Sequence, residues 1–142
     1  MLIGEFASPL GDKNRVALPK KLRDELQTEL IITRGYEACL LVVDYQRWQA
    51  LTAEINKHPL LNLSVRDTKR FLLGGAFELT LDAQGRFVIP ESLIAYAGIE
   101  KEVAFIGVGE WIEIWDMQRW QAKLKDLSQN SADIADRLSS NN

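Results

Sequence analysis

Apolar and polar positions alternate along residues 77–81, where Phe77, Leu79 and Leu81 are separated by Glu78 and Thr80, the period of a half-buried strand. Asp-Ala-Gln-Gly follows, a turn signal: Asp accepts from nearby backbone N–H groups, and Gly takes a positive φ without steric cost. Arg-Phe-Val-Ile resumes the extended pattern, so residues 77–89 predict a β-hairpin. Pro90 then opens ESLIAYAGI as a short helix, with Pro in its first turn and Gly98 as its stop. The apolar runs VAFIGV and WIEIW predict two strands, and Asp116 is placed to N-cap a closing helix containing Trp120.

The same order of elements occurs earlier in the chain. At an offset of 71, Gly4 meets Gly75, Phe6 meets Phe77, Leu10 meets Leu81, Arg15 meets Arg86, Pro19 meets Pro90 and Leu22 meets Leu93. After one inserted residue the offset is 72: Gly35 meets Gly107, Asp44 meets Asp116, and QRWQA at 46–50 recurs at 118–122. The chain is therefore a tandem duplication of a ββ-α-ββ unit. A unit of that size cannot bury both faces of its sheet alone, so the two copies are expected to close on each other about a pseudo-twofold axis. The fold class expected is mainly β with short helices (α+β).

The expected divisions are a first domain at 4–51, a helical connector at 52–74, a second domain at 75–124 and a polar tail at 125–142 with a frayed end. In the connector, Ser64 with Asp67 resembles a capping box, and VRDTKRFLL reads as a helix with Arg66, Lys69 and Arg70 on its polar side.

Composition narrows the chemistry. Cys39 is the only cysteine and lies within ACLLVV, the setting of a small buried hydrophobe, so no internal disulfide forms. His58 is the only histidine, beside Pro59 in a loop, which puts the usual zinc sets and His-based hydrolysis out of reach. The Gly pairs in GVGEW and LLGGA lack the partners of a phosphate loop or a dinucleotide fingerprint. Trp48, Trp115 and Trp120 read as core or interface anchors. No catalytic residue, cofactor, metal or small-molecule ligand is expected. With no signal-peptide pattern and no long apolar run, the cytoplasm is the default compartment.

The net charge of −3 disfavours a polyanion partner, but the charge is unevenly spread. Between Asp12 and Arg23, Lys13, Arg15, Lys20, Lys21 and Arg23 stand against Asp12 alone, a net charge of +4. The matching span from Asp82 to Leu93 holds Arg86 against Asp82 and Glu91, a net charge of −1. A lone Arg after a turn is a solvated strand edge. Two at pseudo-symmetric places present two guanidiniums on one face, with donors suited to phosphate or to the guanine edge.

FASPLGDKNRVALPKKLR and FELTLDAQGRFVIPESLI, with RFLLGGAFEL before the second, resemble the MraZ family of bacterial transcriptional regulators associated with the division and cell-wall gene cluster. The resemblance runs from about Gly4 to Trp120. It implies two SpoVT-AbrB-type domains forming a swapped-hairpin barrel, ring-shaped homo-oligomers, and sequence-specific binding of double-stranded DNA at repeated promoter boxes, as a repressor. It also implies a place in the cytoplasm and on the nucleoid, with no membrane partner. The family's Asp-x-x-x-Arg pattern falls on Asp82 and Arg86. In the first copy Arg15 keeps its place, but Gly11 stands at the Asp position and Asn14 at that of Gly85, while Gln84 replaces the Lys expected in the second copy. The DNA-binding residues implied are Lys13, Arg15, Lys20, Lys21, Arg23 and Arg86, with Asn14, Asp82 and Gly85 shaping the hairpins. The alternative is an oligomeric interaction module of the same fold, antitoxin-like or a scaffold.

Overall fold

The computed structural model describes residues 1–140. Eight strands run in chain order: β1 (Leu2–Pro9), β2 (Arg15–Ala17), β3 (Leu30–Arg34), β4 (Leu40–Asp44), β5 (Phe77–Leu79), β6 (Arg86–Val88), β7 (Glu102–Gly109) and β8 (Ile112–Asp116). The helices are α1 (Lys20–Arg23), α2 (Tyr45–Asn56), α3 (Leu63–Leu72), α4 (Glu91–Ala97), α5 (Met117–Gln129) and α6 (Ser131–Ser140). Six strands form one antiparallel sheet in the order β1-β7-β8-β4-β3-β5, and β2 pairs with β6 in a separate two-stranded ribbon.

That order is a palindrome under the duplication. Exchanging β1 with β5, β3 with β7 and β4 with β8 returns the same sheet. Partners separated by the duplication offset must lie on the axis. Val16 faces Phe87 in the ribbon and Leu41 faces Glu113 in the sheet, so the axis passes through these two pairs.

Alternation along the strands builds two apolar layers. Leu30, Ile32, Leu40, Val42, Val103, Phe105, Ile112 and Ile114 point to the inner face and are fully or nearly fully buried. Val16, Leu18, Phe87 and Ile89 of the two ribbon segments, with Leu22 and Leu93 of α1 and α4, pack into the same core. On the outer face Cys39, Ala104, Ile106 and Trp115 meet Trp120 of α5. Trp120 donates its indole N–H to Glu5 Oε1 at 2.9 Å, while Trp48, its counterpart, is only half-buried.

The closing helices start as their sequence dictates. Asp44 Oδ1 accepts from the Arg47 N–H at 3.0 Å and Asp116 Oδ2 from the Arg119 N–H at 3.3 Å, and both carboxylates are buried. Gly98 ends α4 in the left-handed region at φ 62°.

Three expectations are corrected. The first is the hairpin. Gly11 N–H to Arg15 C=O at 2.8 Å closes the first turn and Asp82 N–H to Arg86 C=O at 2.9 Å the second, where Gly85 N–H also donates to Asp82 C=O at 3.0 Å, and the flanking strands then part. β1 and β5 enter the large sheet beside β7 and β3, whereas β2 and β6 pair with each other across the copies.

The second is the barrel. The six-stranded sheet is open, with β1 and β5 at its two edges, and the ribbon lies over its inner face. Pro19 and Pro90 follow each ribbon segment, and having no N–H to donate they prevent the ribbon from extending into a closing strand.

The third is the start of α3. Its N-cap is Asn62, whose Oδ1 accepts from the Ser64 N–H at 2.8 Å, not Ser64. In the polar tail, residues 125–129 end α5 and residues 131–140 form α6. The frayed end expected at Asn141 and Asn142 lies outside the described residues.

An arginine that the repeat gave no reason to single out fixes the connector. Arg34, at the end of β3, donates to the Phe71 and Arg70 carbonyls at 3.0 Å each, satisfying acceptors at the C-terminal end of α3. Its guanidinium also stands 5.3 Å from the centroid of the Phe71 ring. Gly75 lies close beside it: an added Cβ would fall 2.8 Å from Arg34 Nε and displace the guanidinium. Arg34 thereby sets the point where the chain crosses from α3 into β5.

Candidate nucleic-acid interface

The ribbon joins the two copies at their duplicated phrase. Arg15 lies opposite Val88, Val16 opposite Phe87 and Ala17 opposite Arg86. Two further bonds lengthen it symmetrically, Leu18 N–H to Gly85 C=O and Ile89 N–H to Asn14 C=O, each at 2.9 Å. Val16 and Phe87 face the core, so the period of two puts Arg15, Ala17, Arg86 and Val88 on the opposite, exposed face. Arg15 and Arg86 are diagonal neighbours there, roughly 7–8 Å apart at the backbone in ordinary antiparallel geometry. The symmetry expected from the repeat is therefore present, in a ribbon shared between the copies.

The two turns are built differently. Asp82 organises the second: its Oδ1 accepts from the Gln84 and Arg86 N–H groups at 2.9 Å each, and its Oδ2 from Arg86 Nε at 2.8 Å. The backbone bond from Arg86 and the guanidinium itself hold the Asp82 carboxyl below the ordinary carboxylate range. Gly85 follows at φ 77°.

The first turn has Gly11 at the Asp position and no such bonds. Asn14 takes the place of Gly85 at φ 60°, which a short polar side chain tolerates. Lys13 is also left-handed, at φ 60°, a conformation its residue type gives no warning of.

This difference decides which charges are available. Arg86 is held by Asp82, and Gln84 Oε1 lies 3.4 Å from its other nitrogen. Lys20 pairs with Asp24 at 2.7 Å. Lys13, Arg15 and Lys21 have no carboxylate partner among the described residues and are exposed.

Arg23 is half-buried and crosses to the other copy, its guanidinium lying over the Gly85 backbone; a Cβ built on Gly85 would fall 1.7 Å from Arg23 Nη1. Alignment of the copies could not have shown this, because the residue matching Arg23 is Ile94. The structure thus brings Arg15, Arg23 and Arg86 to one ribbon, with Lys13 in the adjoining turn and Lys20 and Lys21 on the α1 segment that follows β2.

These features define a duplicated α+β protein whose two copies share one ribbon, with a guanidinium from each copy on the ribbon's open face. The family model described as "MraZ protein, putative antitoxin-like" matches the chain twice, at residues 1–71 and 72–142. The chain belongs to the MraZ family.

It is 40% identical over 139 residues to a protein of Clostridium acetobutylicum named Transcriptional regulator MraZ, covering 98% of this chain and 97% of that one. A protein of the same name from Finegoldia magna is 42% identical over 138 residues, covering 97% and 96%. Another from Caldicellulosiruptor saccharolyticus is 40% identical over 138 residues with the same coverage. Among solved structures, the solution structure of PHS018 from Pyrococcus horikoshii covers 80% of this chain and 88% of its own at 17% identity and a TM-score of 0.33, too distant to bear on the fold. Among the described residues no helix is long and apolar enough to cross a membrane.

Proposed function

We propose that this protein is a sequence-specific DNA-binding transcriptional regulator, a repressor of the division and cell-wall gene cluster, that binds repeated promoter boxes as a ring-shaped oligomer. The observation that carries the DNA reading is the ribbon's exposed face, where Arg15 and Arg86 project side by side from strands of the two copies. A two-stranded ribbon fits the major groove, and arginine reads the O6/N7 edge of guanine with two parallel hydrogen bonds.

The unpaired Arg15 makes the principal base contact in this reading, and Arg86, already engaged by Asp82, a weaker one. Lys13, Lys20 and Lys21 contact phosphate and set register. Arg23 supports the Gly85 turn. One such patch on a chain of net charge −3 binds weakly, so several patches on one assembly, facing direct repeats, supply the affinity. The nucleoid is the expected place of action.

Fluorescence anisotropy against the DNA upstream of the protein's own gene, at two salt concentrations and with scrambled DNA alongside, tests this. Arg15→Ala should weaken specific binding by about 1–3 kcal/mol and Arg86→Ala by less. Equal binding to scrambled DNA would remove the regulator reading and favour the interaction module.

A further inference from the structure

The exposed face of the ribbon carries an apolar side chain among its charges. Val88 is 45% exposed there, whereas Val16 and Phe87 on the opposite face are buried. It stands directly opposite Arg15, and its counterpart in the first copy, Ala17, stands opposite Arg86. The open face is therefore two pairs, each an arginine beside an aliphatic residue, related by the axis through Val16 and Phe87.

The hydrogen-bond pattern fixes how close the members of a pair lie. Ile89 N–H donates to the Asn14 C=O, and Leu18 N–H donates to the Gly85 C=O. Bonded and non-bonded pairs alternate in an antiparallel ladder, so Arg15 with Val88 is a non-bonded pair. Such pairs have Cα atoms about 4.5 Å apart and bring their side chains closest. Successive bases along one DNA strand are spaced by about 3.4 Å, a similar step. With the Arg15 guanidinium on a guanine edge, the Val88 methyls meet the neighbouring base pair.

Chemistry selects that base. Val88 offers neither donor nor acceptor, and the apolar group that the major groove displays is the C5-methyl of thymine. Any other base would lose water from a polar edge against valine and gain no partner for it. Ala17 has only its Cβ to offer and faces an arginine already tied to Asp82. The two halves of the face are thus unequal.

We propose that Val88 is a specificity-determining residue, reading the methyl of a thymine next to the guanine taken by Arg15. The shorter Ala17 at the related place gives the DNA box a direction, although the ribbon is pseudo-symmetric. The inference rests on the DNA reading proposed above and names a side chain and a base that it leaves open.

Replacing each thymine in turn by uracil tests it, on the duplex upstream of the protein's own gene. Uracil removes the C5-methyl and keeps every pairing and hydrogen-bonding group. One such replacement should weaken binding by the native chain about fourfold, the effect of one buried methyl group. It should leave binding by Val88→Ala unchanged, because that variant already lacks the contact. The sensitive thymine should adjoin a guanine whose replacement by 7-deazaguanine weakens the native chain but not Arg15→Ala. Val88 is exposed and lies outside the core, so its replacement leaves the fold intact.

Tolerance of uracil at every position, by a native chain that still prefers this DNA to scrambled sequence, would overturn the role of Val88 and leave the DNA reading standing. A uracil effect undiminished in Val88→Ala, or one remote from that guanine, would overturn it too and assign the methyl to another side chain. A native chain that binds scrambled DNA equally well would overturn both.

Discussion

Replacing Gly85 by alanine tests the ribbon through two separable effects. The first is conformational: at φ 77° a residue with a Cβ is strained by about 1–2 kcal/mol. The second is steric and comes from the other copy, since the new methyl would sit 1.7 Å from Arg23 Nη1 and 2.6 Å from its Cζ. No packing tolerates that approach, so the Arg23 side chain must leave the turn. Contacting residues couple by about 0.5–3 kcal/mol, so the total loss should be about 2–4 kcal/mol.

Urea unfolding at one fixed protein concentration measures it, and the midpoint should fall by roughly 1–2 M for an m-value near 2 kcal/mol/M. The control is a cycle with Arg23→Ala. In that background the steric part disappears and only about 1–2 kcal/mol should remain. At the matching position Asn14→Gly should change stability by no more than a few tenths of a kcal/mol, and Asn14→Ala should cost about 1 kcal/mol. If Gly85→Ala cost the same with and without Arg23, the arginine would not lie on the turn, and the contact between copies at the ribbon would be wrong.

Gly107→Ala should be among the most damaging small substitutions. Its Cβ would fall 2.5 Å from the Ile3 nitrogen and 2.6 Å from the Leu2 carbonyl carbon, backbone that cannot step aside, so a loss of about 2–4 kcal/mol is expected in the same unfolding assay. Cys39 should resist alkylation: burial first, then Glu113 and Glu37, pushes its thiol up to about 12, and iodoacetamide labelling of native protein at pH 8 should be at least ~1000-fold slower than of unfolded chain. Asp82, held below its ordinary value of 3.8, contributes turn stability that is fully present above that value and is lost as pH falls through the depressed one. A carbon-13 titration of its carboxyl should show that low midpoint, Arg86→Ala should raise it, and a midpoint above 3.8 in the native chain would contradict the bonds described.

Much of this molecule is legible in the sequence because local chemistry and global fold agree. The two Asp residues at matching places cap matching helices, Gly98 ends a helix in the left-handed conformation, and the long apolar runs at 30–34 and 102–109 are strands. What the pattern could not give was partnership. The alternation at Phe77, Leu79 and Leu81 marks an extended segment equally well beside β6 or beside β3, and only the shared core decides for β3.

The charged face was legible as a set of residues. Its asymmetry was not, because it depends on bonds Asp82 makes and Gly11 cannot. Arg34 and Arg23 were illegible for another reason: each acts on backbone far away in the chain, at Arg70 and Phe71 for one and Gly85 for the other, and no local spacing records that.

The exchange of edge strands has a consequence for biosynthesis. Leu2 pairs with Gly109 and Pro9 with Glu102, so β1 leaves the ribosome and waits for a partner made about a hundred residues later. At ordinary elongation rates that is roughly 5–20 s. During that interval the first copy has β3 and β4 to pair locally, but β1 and β2 are both without their neighbours. The nascent chain therefore passes through a stage in which half the molecule has been made and the core shared between the copies is still open. The fold completes only after β7 emerges, because β1 and β2 have their partners in the second copy.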